Sequence, residues 1–178
     1  MKKGGIGGAN TQTGLRFEEE GDFVTLISRV PGYTVRQSAI AGMDVLFEDE
    51  VQAICFQKYD FYRFLKHHDV NWKEIISSQL LPDDAILVVL RDTLFILEIK
   101  YQQRSGSTDE KLQTCDFKKK QYTKLVFPLG LRVEYIYVLS DWFKKPKYKD
   151  VLNYVHSMNC HYTFDEIPLA WLGLPTRN

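Results

Sequence analysis

The sequence predicts an α/β domain, and two patterns carry that prediction. Two short runs rich in Val, Ile, Leu and Phe, residues 85–90 and 94–99, are separated by the polar break Arg91-Asp92-Thr93, which is typical of a buried β-hairpin. A helical pattern at 109–124 then precedes a clear strand at 132–139. A helix between two strands favours a parallel crossover, and we therefore expect an α/β sheet.

The first half of the chain is expected to pack helices and short strands before the hairpin. A helix is predicted from Thr11 or Thr13 to Arg29, before Pro31. Short strands are predicted at 44–48 and 51–56, and helices at 59–68 and 71–79. The side chains expected to face inward from the first helix are Leu15, Phe23, Leu26 and Ile27.

The second half is expected to finish the sheet. After the strand at 132–139 the patterns indicate a loop rich in lysine and aromatic residues at 140–150, a helix at 148–158 and a short strand at 160–164. An apolar tail at 167–175 is expected to pack on the body. The segment 104–109 is small and polar, which is typical of a loop.

Length and composition are those of an ordinary soluble globular chain. We expect one domain over residues 1–178, because this length suits a single core and nothing in the sequence suggests two. No apolar run is long enough to cross a bilayer, and the glycine-rich start lacks the apolar segment of a secretion signal. The three cysteines are widely spaced, so reduced thiols in a cytoplasmic protein are expected. A formal net charge of zero argues against nonspecific coating of nucleic acid, although clustered lysines still allow a basic face.

Charged residues flank both apolar runs of the hairpin. Asp83 and Asp84 precede the first run, and Glu98 and Lys100 end the second on a shared face, because side chains alternate along a strand. A three-residue turn places Asp84 opposite Lys100, whereas a two-residue turn places Asp83 there. Either register brings a second carboxylate near Glu98, and close carboxylates favour a hard cation between them. A magnesium ion beside a lysine is suited to hydrolysing phosphodiesters.

The same residues resemble a known signature. Pro82-Asp83, fourteen intervening residues and Glu98-Ile99-Lys100 resemble the PD-(D/E)xK pattern of the restriction endonuclease-like nucleases. The segments 10–18 and 101–115 are also similar to small bacterial type II restriction endonucleases of that superfamily. The resemblance implies a mixed central sheet flanked by helices and a homodimer that cuts double-stranded DNA with Mg²⁺.

The resemblance also assigns roles to residues. One or two Mg²⁺ ions are expected on Asp83 or Asp84, Glu98 and the backbone carbonyl of Ile99. Lys100 is expected to position the attacking water or to stabilise the transition state. The family pattern favours Asp83 as the metal ligand, while a three-residue turn favours Asp84, and the two remain open.

Further residues are candidates for the metal or for DNA. In the resembled family a glutamate on an early helix leans into the metal site, which by position is Glu18; the alternative is a solvated acidic first turn favoured by the helix dipole. Trp142 and Phe143 with neighbouring lysines are candidates for a DNA contact or a subunit interface. The lysine run at 118–120 spans three helix faces, so only one or two of its members can reach phosphates, and the alternative is a solvated lysine run. The candidate DNA-contacting residues are Gln102, Gln103, Arg104, Lys118, Lys119 and Gln121.

Two other functions use the same pattern. A structure-specific repair or junction-resolving nuclease has the same active site and differs in its preferred substrate. A non-catalytic DNA-binding module of the same fold lacks divalent-metal binding. We therefore expect a type II restriction endonuclease and keep these two as alternatives.

Overall fold

The computed structural model of the chain describes residues 14–17, 21–88, 91–101 and 111–177, with the backbone course alone for 84–88. The predicted loop at 104–109 lies outside these ranges. The strands are β1 Gly14–Arg16, β2 Tyr33–Gln37, β3 Met43–Phe47, β4 Glu50–Phe56, β5 Asp84–Val88, β6 Thr93–Lys100, β7 Arg132–Leu139, β8 His161–Phe164 and β9 Glu166–Pro168. The α-helices are α1 Phe23–Ile27, α2 Tyr59–His67, α3 Cys115–Val126, α4 Lys149–Ser157 and α5 Leu169–Leu172.

Seven of the described strands form one mixed sheet in the order β2-β3-β4-β5-β6-β7-β8. Neighbours from β2 to β6 are antiparallel, whereas β6, β7 and β8 run parallel. Helix α3 joins β6 to β7 and α4 joins β7 to β8, as parallel neighbours require. The predicted α/β class and parallel crossover are confirmed. Strands β1 and β9 form a separate antiparallel pair.

The two faces of the sheet bury two different cores. Leu94 and Ile96 of β6 pack with α2, α3 and α4, whereas Phe95 and Leu97 pack with α1, α5 and β1. This alternation extends to the end of β6, so Glu98 and Lys100 belong to the face that α3 covers. Among the described residues, no helix is long and apolar enough to span a membrane.

The register of the β5–β6 hairpin differs from both predicted registers. Asp84 pairs with Leu97 and Val88 pairs with Thr93, so four residues connect the strands instead of two or three. Continued by one residue, this register sets Asp83 level with Glu98, not with Lys100. Thr93 is buried in β6, and its hydroxyl donates to the Arg91 carbonyl, 2.9 Å away. The two-residue turn already placed Thr93 in the strand; both registers failed because the ladder of β5 ends at Val88, whereas the apolar run was expected to pair as far as Leu90.

The helix predicted from Thr11 or Thr13 to Arg29 is wrong. Gly14–Arg16 is a strand that pairs with β9, and the helix begins only at Phe23. Asp22 is its cap, because the Asp22 carboxylate accepts from the backbone and the hydroxyl of Thr25, both at 2.9 Å. The four side chains predicted to face inward, Leu15, Phe23, Leu26 and Ile27, are all buried.

The remaining elements divide between confirmed predictions and corrections. The helices predicted at 59–68 and 148–158 and the strands at 44–48, 51–56, 132–139 and 160–164 are confirmed to within two residues. The helix predicted at 71–79 is wrong, since Asn71 caps only a 3₁₀ turn at Trp72–Glu74. Strand β2 was not predicted. The tail from 167 is packed on the body as expected, with Ile167, Leu169 and Leu172 buried.

Candidate active site

Three of the predicted site residues converge where the hairpin ends. The backbone N–H of Ile99 donates to Oδ2 of Asp83 across 3.2 Å, and Nζ of Lys100 lies 3.4 Å from the same oxygen. Nζ of Lys100 also lies 3.2 Å from Oε2 of Glu98. The Lys100 ammonium therefore bridges two carboxylates, one directly before β5 and one on β6.

A fourth group reaches the site from helix α3. Nζ of Lys118 donates to Oε1 of Glu98 across 2.5 Å. Helix α3 lies against β7 and covers the face of β6 that carries Glu98. Glu98 thus has an ammonium group beside each of its oxygens, Lys118 at Oε1 and Lys100 at Oε2.

The Glu98 carboxylate is buried, at 5% exposed, yet it is charged. Burial alone raises the pKa of a carboxyl group, but the positive charges of Lys100 and Lys118 outweigh that effect and hold the pKa of Glu98 below its ordinary value. The two lysines are partly exposed, so one side of the ion cluster meets solvent. The result is an ionised carboxylate at neutral pH in a largely dry position.

Buried tyrosines lie beneath this carboxylate. Burial, and then the charge of Glu98, raise the pKa of Tyr135 far above its ordinary value, so its hydroxyl stays protonated. Burial raises the pKa of Tyr122 and of Tyr137 in the same way, with a smaller contribution from Glu98. These neutral side chains keep water away from the inner side of Glu98 and strengthen its interactions with the lysines.

The register separates the roles of Asp83 and Asp84. Asp84 is the first residue of β5 and its backbone pairs with Leu97, whereas Asp83 lies level with Glu98. The Asp84 side chain lies outside the described part of the structure. Asp83 is therefore the aspartate that the described geometry brings to Glu98 and Lys100.

The backbone carbonyl of Ile99 faces the same region. The carbonyl of Lys100 accepts from the Ser140 N–H at 3.1 Å, so it is directed toward β7. Successive carbonyls alternate sides along a strand, so the Ile99 carbonyl faces the β5 side, where its own N–H meets Asp83. An oxygen donor of the main chain thus lies on the same side as the two carboxylates.

These groups fit a magnesium ion. Asp83, Glu98 and the Ile99 carbonyl offer the oxygen donors that Mg²⁺ prefers, and the Asp83 side chain is about half exposed. Oε2 of Glu98 is buried without a hydrogen-bond partner among the described residues, although Lys100 is in ion-pair contact. The described residues contain no group of three or more His, Cys, Asp or Glu side chains that could hold a metal. A metal held by Asp83 and Glu98 would therefore need a further donor, and the Ile99 carbonyl is a candidate.

Besides Lys118, two of the predicted DNA-contacting residues, Lys119 and Gln121, lie in the described part of the structure. Nζ of Lys119 lies 3.4 Å from Oε2 of Glu134 and 2.5 Å from the Asn159 carbonyl, which directs it away from Glu98. Oε1 of Gln121 is buried without a hydrogen-bond partner among the described residues; Gln121 follows Lys118 by three positions and so shares its side of the helix. Glu18, Gln102, Gln103 and Arg104 lie outside the described residues.

Two contacts at the site were not predicted from the sequence. One is the ion pair of Lys118 with Glu98. The sequence signal for it is a lysine-bearing helix directly after the strand that carries Glu-x-Lys. The other is the Tyr62 hydroxyl, which accepts from the Leu80 N–H at 2.7 Å and donates to the Leu80 carbonyl at 2.9 Å. These two hydrogen bonds hold the segment that leads to Asp83 against α2, and no sequence pattern predicts them.

The chain has no match in three comparisons with known proteins. No family model matches it, no curated protein matches its sequence, and no solved structure matches it. Function is therefore assigned from the chemistry of the side chains around Glu98.

Proposed function

We propose that this chain is a Mg²⁺-dependent DNA endonuclease of the type II restriction kind. The observation that supports it best is the position of Lys100 Nζ, 3.4 Å from Asp83 and 3.2 Å from Glu98 at the end of a β-hairpin. Two carboxylates and a lysine held close together are the groups that metal-assisted phosphodiester hydrolysis requires. The assignment to the restriction endonuclease-like fold is part of this proposal, and the mixed sheet with helices on both faces is consistent with it.

In this proposal Asp83, Glu98 and the Ile99 carbonyl hold the metal. When bound, Mg²⁺ supplies positive charge that activates the attacking water and neutralises the negative charge that develops on the phosphate. Glu98 is suited to this role because the lysines keep its pKa low, so it is ionised when a cation arrives. Asp83 is suited because it is exposed enough to meet a substrate.

Lys100 positions the reacting groups. Its ammonium contacts both carboxylates. With those carboxylates engaged in holding a metal, Lys100 would donate to the attacking water or to a phosphate oxygen. The water oxygen forms a bond to phosphorus and its proton passes to solvent. The bond from phosphorus to one deoxyribose oxygen breaks, and that oxygen takes a proton from solvent and leaves as a hydroxyl group. Lys118 keeps Glu98 charged from the opposite side. Cutting both strands of a duplex calls for two such sites, so a homodimer is part of the proposal.

The proposal is tested by digesting a sequenced phage genome with the purified protein in Mg²⁺ and mapping the fragment ends. A restriction enzyme gives discrete fragments with a common sequence at their ends, and none in EDTA. A smear, or cleavage of branched junctions alone, assigns the site to a repair or junction-resolving nuclease. No cleavage together with no Mg²⁺ or Mn²⁺ binding by calorimetry leaves a non-catalytic module and refutes the proposal.

A further inference from the structure

A loop rich in lysine lies at the same edge of the sheet as the candidate active site. It follows β7, and its first residue, Ser140, donates its N–H to the carbonyl of Lys100 at 3.1 Å. Because β6, β7 and β8 are parallel, their carboxyl ends meet at one edge. We call residues 140–149 the lysine loop.

Buried aromatic side chains hold the lysine loop on the face of the sheet that carries Glu98. Phe143 and Tyr148 are buried in the core that contains Tyr135 and Tyr137, and their rings lie 4.9 Å apart. Nε1 of Trp142 donates to the Tyr148 hydroxyl at 2.6 Å. The burial of Phe143 corrects the expectation that it could contact DNA, because its ring is 0% exposed and serves as an anchor.

The lysines of the loop are all exposed, namely Lys144, Lys145, Lys147 and Lys149. Nζ of Lys144 pairs with Asp141 and lies 5.0 Å from the centre of the Phe164 ring, at the last residue of β8. Lys145 lies over the Trp142 ring, and Lys147 Nζ lies 4.6 Å from the centre of the Tyr148 ring. The ammonium groups are thus presented on an anchored support, which begins beside β6 at Ser140 and places Lys144 at the end of β8.

We propose that the lysine loop binds the sugar–phosphate backbone of the DNA duplex whose scissile phosphate lies at Lys100; this inference rests on the proposed nuclease function. The carboxyl ends of β6 and β8 are two strand spacings apart, which is roughly 10 Å. This distance equals the rise of about three phosphates along one DNA strand. Ammonium groups attract phosphates irrespective of base sequence, so the loop sets affinity and orientation while sequence is read elsewhere. Even with Asp141 paired to Lys144, lysines outnumber aspartates in the loop.

The test is the salt dependence of duplex binding by the full chain, measured by fluorescence anisotropy in EDTA so that no strand is cut. The triple variant Lys144→Ala, Lys145→Ala, Lys147→Ala is compared with a control that removes three exposed lysines of α2 and α3, Lys66→Ala, Lys120→Ala, Lys124→Ala. Each lost phosphate contact lowers the slope of log K against log salt by about 0.9. We expect the slope of the loop variant to fall by roughly 2 to 3, and that of the control to stay at the wild-type value.

An unchanged slope in the loop variant overturns the inference, and so does an equal fall in both variants, because the lysines would then act through overall charge and not through contact. Circular dichroism is used to check that both variants are folded. If the triple variant is not folded, the single variant Lys145→Ala is tested for a fall in slope of about 0.9. Cleavage by the wild-type chain in Mg²⁺ is measured separately. A wild-type chain that does not cleave DNA refutes the proposed function. A wild-type chain that cleaves, together with a loop variant whose salt slope is unchanged, refutes only the inference that the lysine loop binds DNA.

Discussion

Lys118 Nζ lies 2.5 Å from Glu98 Oε1, although the two residues are twenty positions apart and belong to a helix and a strand. The contact exists because α3 carries the chain from β6 back to β7 over the face on which Glu98 lies. It opposes the effect of burial on Glu98 and keeps that carboxylate charged. The lysine run of the sequence therefore has one member within the candidate active site.

Removing Lys118 changes the pH dependence of cleavage. In Lys118→Ala, burial still raises the pKa of Glu98 while one of the two charges that lower it is lost. In the proposed mechanism Glu98 holds the metal only when it is ionised, so we expect the acidic limb of kcat/KM against pH to move to higher pH. The measurement is DNA cleavage in saturating Mg²⁺ over the acidic range.

The matched control for this variant is Lys120→Ala. Lys120 lies two positions further along the same helix and pairs with the exposed Asp116 at 2.9 Å, away from Glu98. Its removal is expected to leave the acidic limb in place. Identical profiles for both variants and the wild type would show that Lys118 has no influence on the ionisation of Glu98.

Tyr62 positions Asp83 through Leu80. Its hydroxyl bonds to both backbone groups of Leu80, and burial raises its pKa to about 12, so it remains a donor. In Tyr62→Phe we expect a stability loss of about 1–2 kcal/mol, for two bonds lost at a buried site. We also expect cleavage to need more Mg²⁺ for half-maximal rate, because the Asp83 segment is less restrained.

The measurements are urea unfolding and a Mg²⁺ titration of the cleavage rate, with Tyr59→Phe as the control on the same helix. Tyr59 is exposed, so its substitution is expected to change neither quantity. A Tyr62→Phe protein that is less stable but has an unchanged Mg²⁺ requirement would limit Tyr62 to a structural role.

Glu98 contributes to stability in a pH-dependent way. Its folded pKa is below the ordinary value of 4.5, so its contribution is complete above that value and is lost as the pH falls through the folded pKa. At neutral pH we expect Glu98→Gln to lower the free energy of unfolding by about 2 to 3 kcal/mol. This is less than the loss on breaking a fully buried ion pair, because the ammonium groups of both lysines are partly exposed.

Chemical denaturation of Glu98→Gln and the wild type at neutral and acidic pH checks this. The gap in unfolding free energy should narrow on acidification, since a protonated Glu98 resembles glutamine. A gap that stays constant across the range would mean that Glu98 is not charged in the folded protein.

The sequence predicts those elements whose hydrophobic pattern is local. The hairpin, the helix at 59–68 and the crossover from β6 to β7 follow from runs of apolar residues and from their order along the chain. The placement of Glu98 and Lys100 on one face follows from strand alternation alone. These features need no knowledge of what lies across the sheet.

Features set by long-range pairing were missed. Gly14–Arg16 is a strand because β9 lies beside it, and the residues between them in sequence carry no sign of that pairing. The register of β5 against β6 depends on where the ladder ends, at the pair of Val88 with Thr93, and the continuous apolar run to Leu90 gives no sign of that end. The contacts of Lys118 and Tyr62 likewise depend on how α3 and α2 pack against the sheet, which the local sequence does not determine.

Cleavage by Glu98→Ala tests the central claim most directly. Wild type, Glu98→Ala and the control Glu134→Ala, which removes a carboxylate that pairs with Lys119 outside the site, are purified in parallel and assayed on phage DNA in Mg²⁺ and for duplex binding. Loss of charge stabilisation at the metal is expected to reduce cleavage by at least about 10²-fold in Glu98→Ala, while DNA binding persists and Glu134→Ala cleaves like the wild type. Cleavage by Glu98→Ala at the wild-type rate would contradict the assignment of Asp83, Glu98 and Lys100 as an active site.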